Sequence, residues 1–117
     1  MSDRIRVLLV EDDEDSREVI AEVLSGEYEV TTAASAEEGL ETYLRDRPDV
    51  VVTDQTLPGA TGTTLAREVK NIEPSAKVVL VSGYGHVAGS EICDAVLEKP
   101  VELEALTEAI GSNHGDH

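Results

Sequence analysis

The chain has 117 residues and 12.5 kDa, the size of one ordinary domain, and sets 25 acidic residues against 9 basic ones for a formal net charge of −16. Such a field repels nucleic acid, whose binding relies on Lys and Arg neutralising phosphates. No run of 18 apolar residues supports a membrane span, and no signal-peptide pattern opens the chain, so a folded cytoplasmic domain is expected.

Cys93 is the single cysteine, which forbids an internal disulfide framework and suits a reducing compartment. Phe and Trp are absent and only three Tyr occur, so the core must be aliphatic and base-stacking platforms are few.

Short apolar runs alternate with helical stripes along the chain. Ile5 to Val10 reads as a buried strand. Val19, Ile20, Val23 and Leu24 then mark one face of a helix that Gly26 closes, with Asp13 or Asp15 as its cap. Tyr28 to Ala33 reads as a second, more exposed strand. Ser35 with Glu38 forms a capping box before a helix striped by Ala36, Leu40, Tyr43 and Leu44. Val50 to Thr53 is a third strand that runs straight into Asp54, and Leu57 to Gly62 has loop chemistry. Leu65, Ala66, Val69 and Ile72 stripe a third helix, Lys77 to Val81 is a fourth strand and Ala95 to Leu97 a short fifth. Val101, Leu103, Leu106, Ala109 and Ile110 make the last helix. The pattern divides the chain into one domain over residues 1–110 and a flexible tail over 111–117. Strands and helices in this alternation mean βαβ units, hence an α/β fold with a doubly wound parallel sheet.

In such a sheet, ligands bind at the carboxyl ends of the strands. Glu11 and Asp12 follow the first strand, Asp54 ends the third, Ser82 follows the fourth, and Lys99 with Pro100 follows the fifth. The second strand contributes nothing comparable, which suits an edge. Each of these residues could be a solvated loop residue by itself, and for Asp13, Glu14 and Asp15 an acidic helix start is the whole explanation. The set on one rim asks for more. Converging carboxylates repel unless a cation joins them, and hard oxygen ligands with little dedicated caging suit Mg2+. A carboxylate beside such a metal is able to attack phosphorus and become an aspartyl phosphate, with an ammonium and a hydroxyl meeting the phosphoryl oxygens.

With these motifs the chain resembles the receiver (CheY-like) domain of two-component response regulators. The resemblance spans about residues 4–110 and rests on Val10-Glu11-Asp12-Asp13, Asp49 to Asp54, Leu57-Pro58-Gly59 followed by Gly62, Val81-Ser82-Gly83, and Glu98-Lys99-Pro100. It implies a flavodoxin-like, five-stranded parallel sheet in the order 2-1-3-4-5. It makes Asp54 the phosphoacceptor, and Glu11, Asp12, Asp54 and the backbone carbonyl of Thr56 the Mg2+ ligands. Ser82 and Lys99 become its hydroxyl and ammonium, and Lys99–Pro100 a cis bond. The partners it implies are a histidine kinase or histidine phosphotransfer protein and a downstream protein target, with no direct nucleic acid or membrane contact. A non-phosphorylated pseudo-receiver that only docks is the alternative, and retention of all five positions argues against it. An aspartyl-phosphatase of the haloacid dehalogenase type would need a second Asp where Thr56 stands.

Two departures bear on output. Only sixteen residues separate Ser82 from Lys99, and Gly83, Gly85 and Gly89 in that stretch oppose a helix, so the helix the family places there shrinks to a short or irregular turn near Ser90 to Asp94. The family's switch aromatic, three residues before the lysine, is Val96 here. An order–disorder response of the glycine-rich segment is therefore expected in place of helix displacement, with Tyr84 beside the phosphoryl group. Cys93 is expected to be a small buried residue, and His86, His114 and His117 to be solvated.

Overall fold

The computed structural model describes residues 4–83 and 87–111. In chain order these form β1 (Arg6–Val10), α1 (Glu14–Leu24), β2 (Glu29–Ala33), α2 (Ala36–Asp46), β3 (Val50–Asp54), α3 (Gly62–Ile72), β4 (Lys77–Ser82), a 3-10 turn (Ser90–Ile92), β5 (Ala95–Glu98) and α4 (Leu103–Gly111). All strands are parallel in the order β2-β1-β3-β4-β5. The α/β reading, the strand order and the shortened fourth crossover are as expected from the sequence.

Alternation along the strands makes two cores. Leu8, Val10, Val51 and Val78 pack against Tyr43 of α2 and Leu65, Ala66 and Val69 of α3. Val7, Leu9, Val50, Val52 and Val79 pack against Leu24 of α1 and Leu106 and Ile110 of α4. Strand β3 has apolar neighbours on both faces, which is why it reads as an unbroken Val run. Strand β2 lies at an edge and buries only Ala33.

The stripe on α1 divides. Ile20 and Leu24 turn to the sheet, while Val19 and Val23 are 57% and 44% exposed. Four apolar positions define an arc wider than the one ridge that meets the sheet and α4, so the second ridge stays outside.

Local capping follows the sequence. Asp13 caps α1 by accepting from the Ser16 amide at 2.9 Å. Ser35 caps α2 by accepting from the Glu38 amide at 3.1 Å, while Glu38 accepts from the Ala34 amide at 2.9 Å. Between β4 and β5 a different device operates. The Asp94 amide donates to the Val78 carbonyl at 2.8 Å, and Asp94 Oδ2 accepts from the Val78 amide at 2.8 Å and from Lys70 Nζ at 2.9 Å. This clasp registers β5 on β4 and ties both to α3 where a long crossover helix is lacking. Cys93 beside it is half-buried against the α2/α3 core, and burial pushes its thiol up to about 11.

Basic side chains gather at the opposite end of the sheet. Arg4 Nη1 donates to the Ser25 carbonyl beyond α1 at 3.0 Å, Arg6 donates to the Asp46 and Arg47 carbonyls at the end of α2, and buried Lys77 Nζ donates to the Ile110 carbonyl in α4 at 3.0 Å. Each cation meets the negative end of a helix dipole. Gly111, assigned to the tail by periodicity, closes α4; the rest of the tail, with His114 and His117, lies outside the described residues, as do Tyr84 and His86.

Candidate functional site

Parallel register brings the polar strand ends together. Val10 pairs with Thr53, so Glu11 and Asp54 come one step further along adjacent strands. The Glu11 amide extends the ladder by donating to the Ala33 carbonyl at 3.0 Å. Its carboxylate turns back to accept from the Asp13 amide at 3.0 Å. Asp54 is 6% exposed and Glu11 7%, whereas Asp12 is exposed. One carboxylate oxygen from each of Glu11, Asp12 and Asp54 lies within 4.8 Å of the others. Lys99 Nζ stands 3.0 Å from both carboxylate oxygens of Asp54.

Burial and neighbouring groups act together on Glu11 and Lys99. Desolvation raises the Glu11 carboxyl above its ordinary value; the Asp13 amide opposes that rise and the Asp54 charge adds to it. For Lys99, desolvation alone would lower the ammonium, but the hydrogen bond and charge of Asp54, helped by Glu11 and Asp12, outweigh it and hold the group above its ordinary value. Lys99 therefore stays charged at neutral pH.

Ser82 is wholly buried, one residue past Val81, the register partner of Asp54, and its carbonyl accepts from the Lys99 amide at 2.8 Å. That bond ties the hydroxyl-bearing strand end to the lysine-bearing one. Thr56 lies two residues past Asp54 and pairs with Thr61 in an isolated antiparallel bridge, which closes the loop before α3. Lys99–Pro100 is cis, as expected. A cavity of about 520 Å³ opens beside Glu11, Asp54 and Lys99 and runs between Ile20 and Leu106, so the rim is accessible from outside.

Three supports escaped sequence reasoning. A Cβ on Gly62 would stand 2.3 Å from the Asp54 carbonyl oxygen and 2.9 Å from Leu80 Cδ1, so only glycine lets α3 start this close to the acceptor. It opens a helix, where its neighbours suggested only a loop. Gln55 Oε1 accepts from the Thr63 amide at 3.0 Å, and the Gln55 carbonyl accepts from the Gly62 amide at 2.8 Å. Arg17 Nη1 donates to the Glu11 carbonyl at 2.9 Å. Spacing places Gly62 in a loop motif and not at the start of a helix. The contacts of Gln55 and Arg17 are not visible from spacing, although Arg17 is the lone basic residue in the acidic stretch from Glu11 to Glu18.

The sequence model of the response regulator receiver domain matches residues 7–111. This chain belongs to the response regulator receiver family. Chemotaxis protein CheY of Bacillus subtilis is 30% identical over 114 residues, covering 90% of this chain and 93% of that one. The hydrogenase transcriptional regulatory protein HoxA of Cupriavidus necator is 36% identical over 72% of this chain but only 18% of its own length. The chain spans a quarter or less of that relative and of the similarly matched transcriptional regulator GlrR of Escherichia coli.

Among solved structures, the response regulator TrrA of Thermotoga maritima, in complex with Mg2+ and BeF, superposes with a TM-score of 0.86 at 29% identity, covering 92% of this chain and 97% of that one. The chain is thus a receiver domain of the two-component response regulator type, and a phosphoacceptor role is consistent with its relatives. Receivers bind Mg2+ at an acidic pocket, and the donor set here fits that ion. The cluster offers hard carboxylate oxygens, with two of its three members buried. No helix among the described residues is long and apolar enough to cross a membrane.

Proposed function

We propose that Asp54 is the phosphoacceptor, that Glu11, Asp12, Asp54 and the backbone carbonyl of Thr56 hold Mg2+, and that Ser82 and Lys99 receive the phosphoryl oxygens. The observation that carries this reading is the buried Asp54 carboxylate, held by Lys99 on both oxygens and faced by two further carboxylates within 4.8 Å.

The donor is a phosphohistidine of a histidine kinase or a histidine phosphotransfer protein. One Asp54 oxygen attacks phosphorus and forms the new P–O bond. The P–N bond breaks, its electron pair stays on the imidazole nitrogen, and that nitrogen takes up a proton. Lys99 then exchanges an Asp54 oxygen for a phosphoryl oxygen, and the Ser82 hydroxyl donates to a second one. Mg2+, when bound, offsets the charge of the carboxylates and of the equatorial oxygens. Water later attacks the same phosphorus, releasing phosphate and restoring the carboxylate.

Output goes to a protein target through the Ser90–Ile92 turn and the start of β5. One 3-10 turn is too short to act as a rigid lever, and Val96 offers no aromatic to reorient. Slower hydrogen exchange over residues 87–98 on adding beryllofluoride supports this route, and protection confined to α1 and α4 overturns it.

The acceptor assignment is tested by incubating the protein with Mg2+ and a small phosphodonor and weighing it. One acid-labile phosphoryl group is expected on the wild-type chain and none on Asp54→Asn, because an amide is a poor nucleophile. Undiminished phosphate on the variant would sink the assignment.

A further inference from the structure

Arg17 stands in the first turns of α1 among Asp13, Glu14, Asp15 and Glu18, in a chain with 25 acids and 9 bases. Carboxylates thus precede and follow it in the sequence. Its described side-chain partner is nevertheless a peptide oxygen: Nη1 donates to the Glu11 carbonyl at 2.9 Å, reaching back over six residues to the loop between β1 and α1. The remaining polar groups of Glu11 are also fixed, the amide by the Ala33 carbonyl at 3.0 Å and the carboxylate by the Asp13 amide at 3.0 Å. Arg17 is itself anchored at its amide, which donates to the Asp13 carbonyl at 2.9 Å. Arg17 is half-buried, which suits a packed stem with a polar head.

We propose that Arg17 is a positioning residue for the cation site. By holding the Glu11 carbonyl it orients the Glu11–Asp12 peptide, and with it the Asp12 carboxylate, which is exposed and has no strand to fix it. The proposal rests on the Mg2+ reading of Glu11, Asp12 and Asp54.

Electrostatics and positioning here predict opposite signs. As a mere nearby positive charge, Arg17 repels Mg2+, and removing it tightens binding. As the holder of the loop, Arg17 lets the acids meet the ion already oriented, and removing it weakens binding because the ion must order them first.

Calorimetric titration of the protein with Mg2+ alone, on wild type, Arg17→Gln and Arg17→Lys, separates the two. Arg17→Gln is expected to weaken Mg2+ binding about tenfold, the scale of one charge-assisted hydrogen bond. Arg17→Lys keeps a cationic donor and recovers part of the loss, though it lacks the planar fork. The metal-free melting temperature of Arg17→Gln stays within a few degrees of wild type, since water replaces the lost donor at a loop carbonyl. Mg2+ binding that is unchanged or tighter in Arg17→Gln overturns the proposal. So does a loss of binding accompanied by an equal loss in Arg17→Lys and a collapse of metal-free stability, which marks a general structural role. Absence of Mg2+ binding in the wild type would instead overturn the metal assignment itself.

Discussion

The two ends of the sheet treat charge in opposite ways. At the amino end, Arg4, Arg6 and Lys77 each donate to carbonyls at or near a helix terminus, and the Asp49 carboxylate accepts from the Arg6 amide at 2.8 Å. Each cation there meets a dipole end or a lone pair. At the carboxyl end, three carboxylates crowd within 4.8 Å around the single ammonium of Lys99. The first end is built for stability. The second carries uncompensated negative charge that a divalent cation would relieve, and on the proposed function it is the end where a phosphoryl group would arrive. A parallel sheet creates this asymmetry by construction, because every strand end and helix start of one kind lies on the same side.

Gly62→Val attacks the point where the carboxyl end depends on close packing. Its Cβ would meet the Asp54 carbonyl at 2.3 Å, so a loss of about 3 kcal/mol or more in urea unfolding is expected, along with loss of phosphorylation. A variant as stable as wild type would show that α3 is free to retreat. At the amino end, Lys77→Ala removes a buried donor from the Ile110 carbonyl and should cost about 2 kcal/mol by the same measurement, while leaving the Mg2+ response unchanged. If it weakened Mg2+ binding instead, the two ends would not be independent.

Asp12→Ala should have the reverse profile. The metal-free protein stays as stable as wild type or gains up to about 1 kcal/mol, because an exposed like charge is removed, and the rise in melting temperature on adding Mg2+ disappears. A wild-type Mg2+ shift in that variant would remove Asp12 from the ligand set. The smallest effect concerns pH. The Glu11 carboxyl is raised in the folded, metal-free protein, so its stabilising contribution is complete below the ordinary value of 4.5 and is lost as pH rises through the raised one. Metal-free stability should therefore decline over that window, and Glu11→Gln should flatten the decline. An identical pH slope in wild type and variant would show that the carboxyl is not desolvated.

Much of the site was legible before the structure. Glu11, Asp12, Asp54, Ser82 and Lys99 each follow a strand that its own apolar run identifies, and parallel topology delivers strand ends to one rim whatever the details of packing. Ser35 was legible as a cap, and Asp13 as one of two candidates with Asp15, because a cap and its amide lie three residues apart. The split stripe on α1 was not, since Val19 and Val23 satisfy the same period as Ile20 and Leu24, and only the position of the sheet and α4 decides which ridge is covered. Gly111 was placed in the tail because glycine breaks periodicity, although it still completes α4.

The sequence by itself determined the order of elements, the parallel α/β class and which residue types stand on the rim, because strand runs, helix stripes and caps are encoded within a few residues of one another. Tertiary structure alone decided which distant groups meet. Lys77 reaches Ile110 across 33 residues and Lys99 reaches Asp54 across 45, and Gly62 is required by a backbone that passes at 2.3 Å from where its Cβ would be. Asp94 closes on Val78 and Lys70 only because a shortened crossover sets β5 against β4. Such contacts depend on how helices cross the sheet, and no local period or propensity records that geometry.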